Sequence, residues 1–148
     1  MSSEPEAPPH KPRAEPKPRP APIPDAESAA FWEASLEGRL LYQRCTKCGH
    51  GQLYARPHCL VCRSAVEWAE SAGNGTVYSF TVIRQNPSRS FRHLIPFVVA
   101  LIDLDEGPRL MTNIVGSPPE DVRIGATVSV RWEPVSDAAA LPVFELTR

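Results

Sequence analysis

The chain has 148 residues, enough for one ordinary domain or two very small ones. Sixteen Lys and Arg against 17 Asp and Glu give a formal net charge of −1, which argues against a strongly basic nucleic-acid binder and a polybasic membrane anchor. No apolar run approaches the roughly 18 residues of a membrane span. The first residues carry no apolar signal core, so a cytoplasmic protein is expected.

Nine of the 17 prolines fall in the first 24 residues, interleaved with Glu, Ala, Lys and Arg. Such a segment buries too little apolar surface to offset its conformational entropy. Proline also removes backbone donors and favours extended geometry. Residues 1–24 are therefore expected to be a disordered, semi-stiff linker, either a frayed terminus or a tether to an upstream domain. Residues 25–38 change character: helix formers, no internal proline, and Asp25 or Ser28 to cap the first turn. Phe31, Trp32 and Leu36 are expected to form a short apolar stripe, with Gly38 ending the helix.

Cys45-Thr-Lys-Cys48 and Cys59-Leu-Val-Cys62 carry the strongest signal in the chain. Each pair sets two thiolates at the tip of a tight knuckle, and two facing knuckles make a tetrahedral four-sulfur site that suits Zn²⁺. Gly49 follows the first pair, where a knuckle needs positive φ. The segment is small enough that a metal is expected to hold it together. Arg44, Lys47, Arg56 and Arg63 surround the cysteines and are placed to offset the net −2 of a zinc tetrathiolate. Disulfides, a rubredoxin-like iron site and redox-active Cys-x2-Cys pairs are the competing readings. His50 and His58 are read as neighbours of the site, not ligands. With all four ligands present the coordination sphere closes, so the zinc is expected to be structural and no zinc catalysis is predicted. A zinc ribbon is assigned to residues 39–70.

Residues 71–148 read as β structure. Five runs rich in β-branched and apolar residues are predicted as strands: 76–83, 96–104, 109–115, 126–132 and 141–147. The second run is so apolar that burial on both faces is expected. The fourth alternates, with Val128, Val130 and Trp132 facing inward. The stretch 118–125 has room for one helical turn. Five short strands and no long helix suggest a small closed barrel of the oligonucleotide/oligosaccharide-binding type, an SH3-like barrel being the runner-up. The fold class is thus mainly β, with a short N-terminal helix and a small zinc ribbon.

Catalytic constellations are sparse. The barrel has one histidine, His93, no cysteine and no lysine. Asp103, Asp105 and Glu106 cluster at a predicted turn and are read as solvated. No catalytic residue is assigned, and the isolated chain is expected to show no turnover. The loop 84–96 stands out, because Arg84, Phe91, Arg92 and His93 could contact phosphates, a nucleotide ring or a partner surface.

Taken together the chain resembles a family catalogued as domain of unknown function thirty-five. The resemblance rests on Phe31-Trp-Glu-Ala, Gln43-Arg-Cys-Thr-Lys-Cys-Gly49, Cys59-Leu-Val-Cys62, Gly75-Thr-Val-Tyr-Ser-Phe-Thr81, Pro96 to Gly107 and Leu141-Pro-Val-Phe144. Leu60 stands where the family commonly has proline. The resemblance implies a rubredoxin-like zinc ribbon joined to an oligonucleotide/oligosaccharide-binding barrel. It further implies an accessory subunit of thiolase-like or lipid-transfer-type proteins that helps bind an acyl-CoA. Some members follow a MaoC-like hydratase domain and complete an aldolase that shortens steroid side chains, and the Pro-rich segment is similar to such a linker. Two other functions are weighed against it. A single-stranded nucleic-acid binder needs a basic groove, yet residues 73–148 hold seven Arg against eight Asp and Glu. An iron-bearing electron carrier would use the same four cysteines.

Overall fold

The computed structural model describes residues 14–148. Part of the expected linker, residues 1–13, lies outside the described residues. Residues 14–24 have no regular secondary structure but touch the barrel at named points. One helix, α1 (Ala29–Leu36), is followed by a three-stranded sheet, β1 (Leu40–Cys45), β2 (Gly51–Gln52) and β3 (Val66–Ser71), in the order β2-β1-β3. Both pairings are antiparallel.

Asp25 starts the helix. Its Oδ1 accepts from the Ser28 amide at 2.8 Å and from the Ser28 hydroxyl at 2.6 Å. Gly38 ends it with φ +72°, its amide reaching the Ser35 carbonyl at 3.1 Å. The buried stripe differs from the expected Phe31, Trp32 and Leu36. It runs through Phe31, Ala34 and Ser35, while Leu36 is half exposed. The reason is geometric: Ala34 and Ser35 lie three and four residues beyond Phe31, on one face, whereas Leu36 is about 140° further round. Ser35 docks the helix. Its Oγ donates to the Trp32 carbonyl at 2.5 Å and accepts from the Ala140 amide at 3.0 Å.

Five strands close a barrel: β4 (Asn74–Ile83), β5 (Phe97–Leu104), β6 (Arg109–Ile114), β7 (Thr127–Ser136) and β8 (Ala139–Leu146), in the order β4-β5-β6-β8-β7 with β4 paired to β7. Every neighbour is antiparallel except β6 and β8, which meet in parallel at Ile114 and Phe144. This is the expected five-stranded architecture, and each predicted strand overlaps one observed. A single 3-10 turn, Pro119–Asp121, occupies the connection after β6.

The barrel interior is filled by Val77, Val98, Ile102, Leu110, Val128 and Phe144, all at most 3% exposed. On β7, Val128 is buried and Val130 and Trp132 pack on the core, as the alternation predicted. The same cluster takes in Phe31 and Ala34 of α1 and Leu40 and Leu41 of β1. Helix, ribbon and barrel therefore share one core. Strand β5 departs from expectation: Val98, Ala100, Ile102 and Leu104 are buried, but Phe97, Val99 and Leu101 on the outer face are only half buried. Its apolar run follows from an inward face in the core and an outward face that is left partly open.

Candidate metal centre and apolar cleft

The sulfurs of Cys45, Cys48, Cys59 and Cys62 all lie within 4.8 Å of one another. Cys45 and Cys62 are 3.4 Å apart and Cys48 and Cys59 3.7 Å. A tetrahedron with metal–sulfur bonds of about 2.3 Å has edges of about 3.8 Å, so the cluster fits one four-coordinate ion. The two knuckles repeat the same local geometry. The Gly49 amide donates to the Cys45 carbonyl at 3.1 Å, and the Arg63 amide to the Cys59 carbonyl at 3.0 Å. Both residues have positive φ, +74° for Gly49 and 64° for Arg63. Amides of Lys47 and Cys48 point at the Cys45 sulfur and that of Val61 at the Cys59 sulfur, each at 3.4 Å.

The thiols are unequal. The Ser64 hydroxyl and then its amide, aided by Cys45, draw the Cys62 thiol down to about 6. The Cys48 amide lowers that of Cys45 against desolvation. At Cys48 the His50 amide favours the thiolate, but desolvation and the sulfurs of Cys62, Cys45 and Cys59 outweigh it and push the thiol up to about 12. Four thiolates gathered here call for a compensating cation, a charge that a divalent ion would supply while displacing the remaining protons. Of the basic residues expected to offset the site, Arg44 is paired with Glu67 at 3.2 Å and Arg56 donates to the Ala55 carbonyl. His50 and His58 contribute backbone carbonyls, to the Cys45 amide and the Gln52 side chain.

Two glutamines hold the second knuckle, and neither was singled out from the sequence. Gln43 and Gln52, on paired strands β1 and β2, are 6% and 3% exposed. Gln43 exchanges two hydrogen bonds with the Arg56 backbone, at 2.8 and 3.0 Å. Gln52 accepts from the Leu60 amide at 3.0 Å and donates to the His58 carbonyl at 3.2 Å. The available signal was position: a polar residue two before Cys45 whose neighbours Leu40, Leu41 and Tyr42 are all apolar.

The ribbon is fixed to the barrel by Glu106. Its carboxylate accepts from the Ser71 hydroxyl and the Ala72 amide, both at 2.8 Å, and the Ser71 Oγ accepts from the Gly73 amide at 2.9 Å. Glu106 was expected to be a solvated turn residue. It is instead a clasp, because the β5–β6 turn folds back onto the ribbon–barrel junction. Asp103 is likewise engaged, accepting from Arg109 at 2.6 and 3.1 Å. Arg109 also stacks 3.3 Å from the centre of the Tyr78 ring.

The four loop residues assigned a contact role do not form one group. Arg84, Arg92 and His93 line one cleft together with Ala14 and Pro16. Phe91 points the other way, 6.2 Å from Phe97 between ring centres, into a separate cleft. The N-terminal segment contributes to both, Arg19 to the cleft of Phe91 and Ala14 and Pro16 to the other. Lys17 donates its amide to the Arg89 carbonyl at 3.1 Å, the Arg89 Nε donates to the Glu15 carbonyl at 2.9 Å, and Arg92 donates to the Ala14 carbonyl at 2.5 Å. The Arg19 guanidinium bridges Glu133 at 3.3 Å and Asn113 at 2.9 Å and lies 5.6 Å from the Phe91 ring centre.

The cleft that Phe91 enters has a volume of about 350 Å³ and a mainly apolar lining drawn from α1, the ribbon loop and the outer faces of β5, β6 and β8. Trp32, Tyr54, Val99, Met111 and Leu141 form much of its wall, with Arg19 and Asn113 at one side. No helix of the described residues is long and apolar enough to cross a membrane.

Two family profiles match in tandem, the rubredoxin-like zinc ribbon domain of ChsH2 over residues 32–67 and its C-terminal OB-fold domain over residues 68–133. A probable enoyl-CoA hydratase alpha subunit from Thermomonospora curvata is 42% identical over 118 residues, 78% of this chain and 36% of that protein. The 3-oxo-4,17-pregnadiene-20-carboxyl-CoA hydratase alpha subunit of Mycobacterium tuberculosis is 32% identical over 72% of this chain and 33% of its own length. The chain thus spans about a third of these two relatives. A solved structure described as the Ltp2-ChsH2(DUF35) aldolase is 37% identical, with a TM-score of 0.76 over 85% of this chain and 98% of that one. Tandem ribbon and barrel, four clustered cysteines and this likeness together place the chain in the ChsH2/DUF35 family.

Proposed function

We propose that the chain is a zinc-containing accessory module that docks on a thiolase-superfamily partner and helps bind an acyl-CoA, the assembled complex cleaving a carbon–carbon bond by retro-aldol chemistry in lipid or steroid side-chain degradation. The observation that carries this reading is the likeness, over 98% of its length, to the DUF35 chain of a solved structure whose description pairs it with Ltp2 as an aldolase. The hydratase names of two relatives support a CoA thioester as the ligand. They also support a hydratase domain upstream of the Pro-rich segment.

Cys45, Cys48, Cys59 and Cys62 would hold zinc, which would supply a structural cross-link between the two knuckles and the β1–β3 sheet that carries them. The chain's own part in catalysis is to position. Arg84, Arg92 and His93 offer cationic or hydrogen-bonding contacts to the CoA phosphates.

The test is reconstitution. Purified zinc-loaded chain is mixed with a lipid-transfer-type thiolase of the same organism, and complex formation is measured by light scattering after size exclusion. A stoichiometric complex that gains retro-aldol activity absent from either component is expected. A chain that remains free at micromolar concentration with every thiolase-superfamily candidate overturns the proposal.

A further inference from the structure

The partly open face of β5 and the cleft above it are left without a role by the metal centre. The polar side chains around the cleft already have partners. Thr112 donates its hydroxyl to the Pro142 carbonyl at 2.6 Å, Asn113 Nδ2 donates to the Val98 carbonyl at 2.8 Å, and the Tyr54 hydroxyl accepts from the Met111 amide at 3.3 Å. A guest therefore meets mainly hydrocarbon and aromatic surface, with the Tyr54 hydroxyl and the Arg19 guanidinium as the polar groups at its margin. An engineered cavity of about 150 Å³ accepts benzene. At about 350 Å³ this one has room for two fused rings or a chain of roughly ten carbons. The cleft also has a direction. Phe91 lines it, and the next two residues, Arg92 and His93, line a second cleft together with Ala14 and Pro16 of the N-terminal segment. One short loop thus carries an apolar seat and a cationic one back to back.

We propose that the cleft bounded by Trp32, Tyr54, Val99, Met111 and Leu141 seats the hydrocarbon body of an acyl group, whose anionic carrier passes Phe91 to reach Arg84, Arg92 and His93. This rests on the acyl-CoA reading above and adds to it the place and chemistry of the acyl site. Selection is mainly by apolar volume, since the lining is mainly hydrocarbon and aromatic.

The test compares decanoyl-CoA, acetyl-CoA and CoA by calorimetric titration, against the zinc-loaded chain and against its complex with the thiolase-type partner. Decanoyl-CoA is expected to bind at least tenfold more tightly than acetyl-CoA or CoA. Val99→Trp, which fills the cleft, and Met111→Arg, which charges its exposed rim without entering the core, are each expected to erase that tenfold preference. Zinc content and CoA affinity should stay at the parent level. Equal affinity for all three ligands overturns the cleft assignment and leaves the acyl-CoA reading standing. Failure of every ligand to bind chain and complex alike overturns both. Loss of the partner complex in Met111→Arg, with decanoyl-CoA binding the parent chain no better than CoA, assigns the cleft to a partner side chain and also overturns the proposal.

Discussion

Gln52 donates its side-chain amide to the Gln43 Oε1 at 3.1 Å, both residues buried, so that two facing strands of the ribbon are tied by their side chains directly beneath the second cysteine knuckle. Between them the two amides satisfy backbone groups of Arg56, His58 and Leu60. The knuckle bearing Cys59 and Cys62 is thus positioned by a polar network whose members are not themselves metal ligands.

Gln43→Leu leaves the part-buried Arg56 amide and carbonyl without their side-chain partner. Each orphaned group costs about 1–3 kcal/mol, and outer partners of metal ligands typically contribute 10–100-fold in affinity. The expected result is a lower unfolding midpoint and zinc affinity weakened by at least tenfold, read by competition with a chromophoric chelator. Unchanged affinity would show that the knuckle is self-supporting.

Arg63 occupies the left-handed conformation that Gly49 supplies in the first knuckle. A residue with a Cβ pays about 1 kcal/mol or more there. Arg63→Gly should therefore raise stability by a few tenths to about 1 kcal/mol, the gain being trimmed by the looser unfolded chain. Urea unfolding at fixed zinc concentration measures it, and a destabilised variant would mean that the Arg63 charge outweighs its backbone cost.

Glu106→Ala removes the acceptor for Ala72 and Ser71. Hydrogen bonds to a charged group contribute about 1.5–3 kcal/mol. Faster hydrogen exchange is expected at Ala72 and Gly73, with the barrel amides of β5 unaffected. Uniform change across both would show that ribbon and barrel do not move as separate units.

Removing the metal is expected to open the ribbon and spare the barrel. Chelation should expose amides of residues 45–65 to exchange, because the knuckles then lose their cross-link. Amides of Val98 and Ile102, at 2% and 0% exposure in the barrel interior, should stay protected. An apo chain with the ribbon still protected would make the metal dispensable for folding.

The four sulfur ligands and the five strands were legible because each depends on a local pattern. Paired cysteines specify a knuckle by spacing alone, and β-branched runs between Gly and Pro turns specify strands. What escaped was set by contacts distant in sequence. Ser35 became a docking residue only because Ala140 presents its amide there, 105 positions away. Glu106 became a clasp only because its turn reaches the ribbon. The outer face of β5 read as buried since hydropathy records that Phe97, Val99 and Leu101 are apolar, not what covers them. The loop residues 91 and 92 read as one site since adjacency in sequence does not reveal that Phe91 and Arg92 open into different clefts.

Arg19 is 22% exposed in its side chain and held by Glu133, Asn113 and the Phe91 ring, while Lys17 and Glu15 are fastened to Arg89. A leash is only as long as the part beyond its last knot. Residue 14 is held at Arg92, so the first fixed point of the segment lies at the loop 84–96 and not at the foot of α1. Cutting the knots at Arg92 and Arg89 would lengthen the leash back to Arg19 without adding a residue.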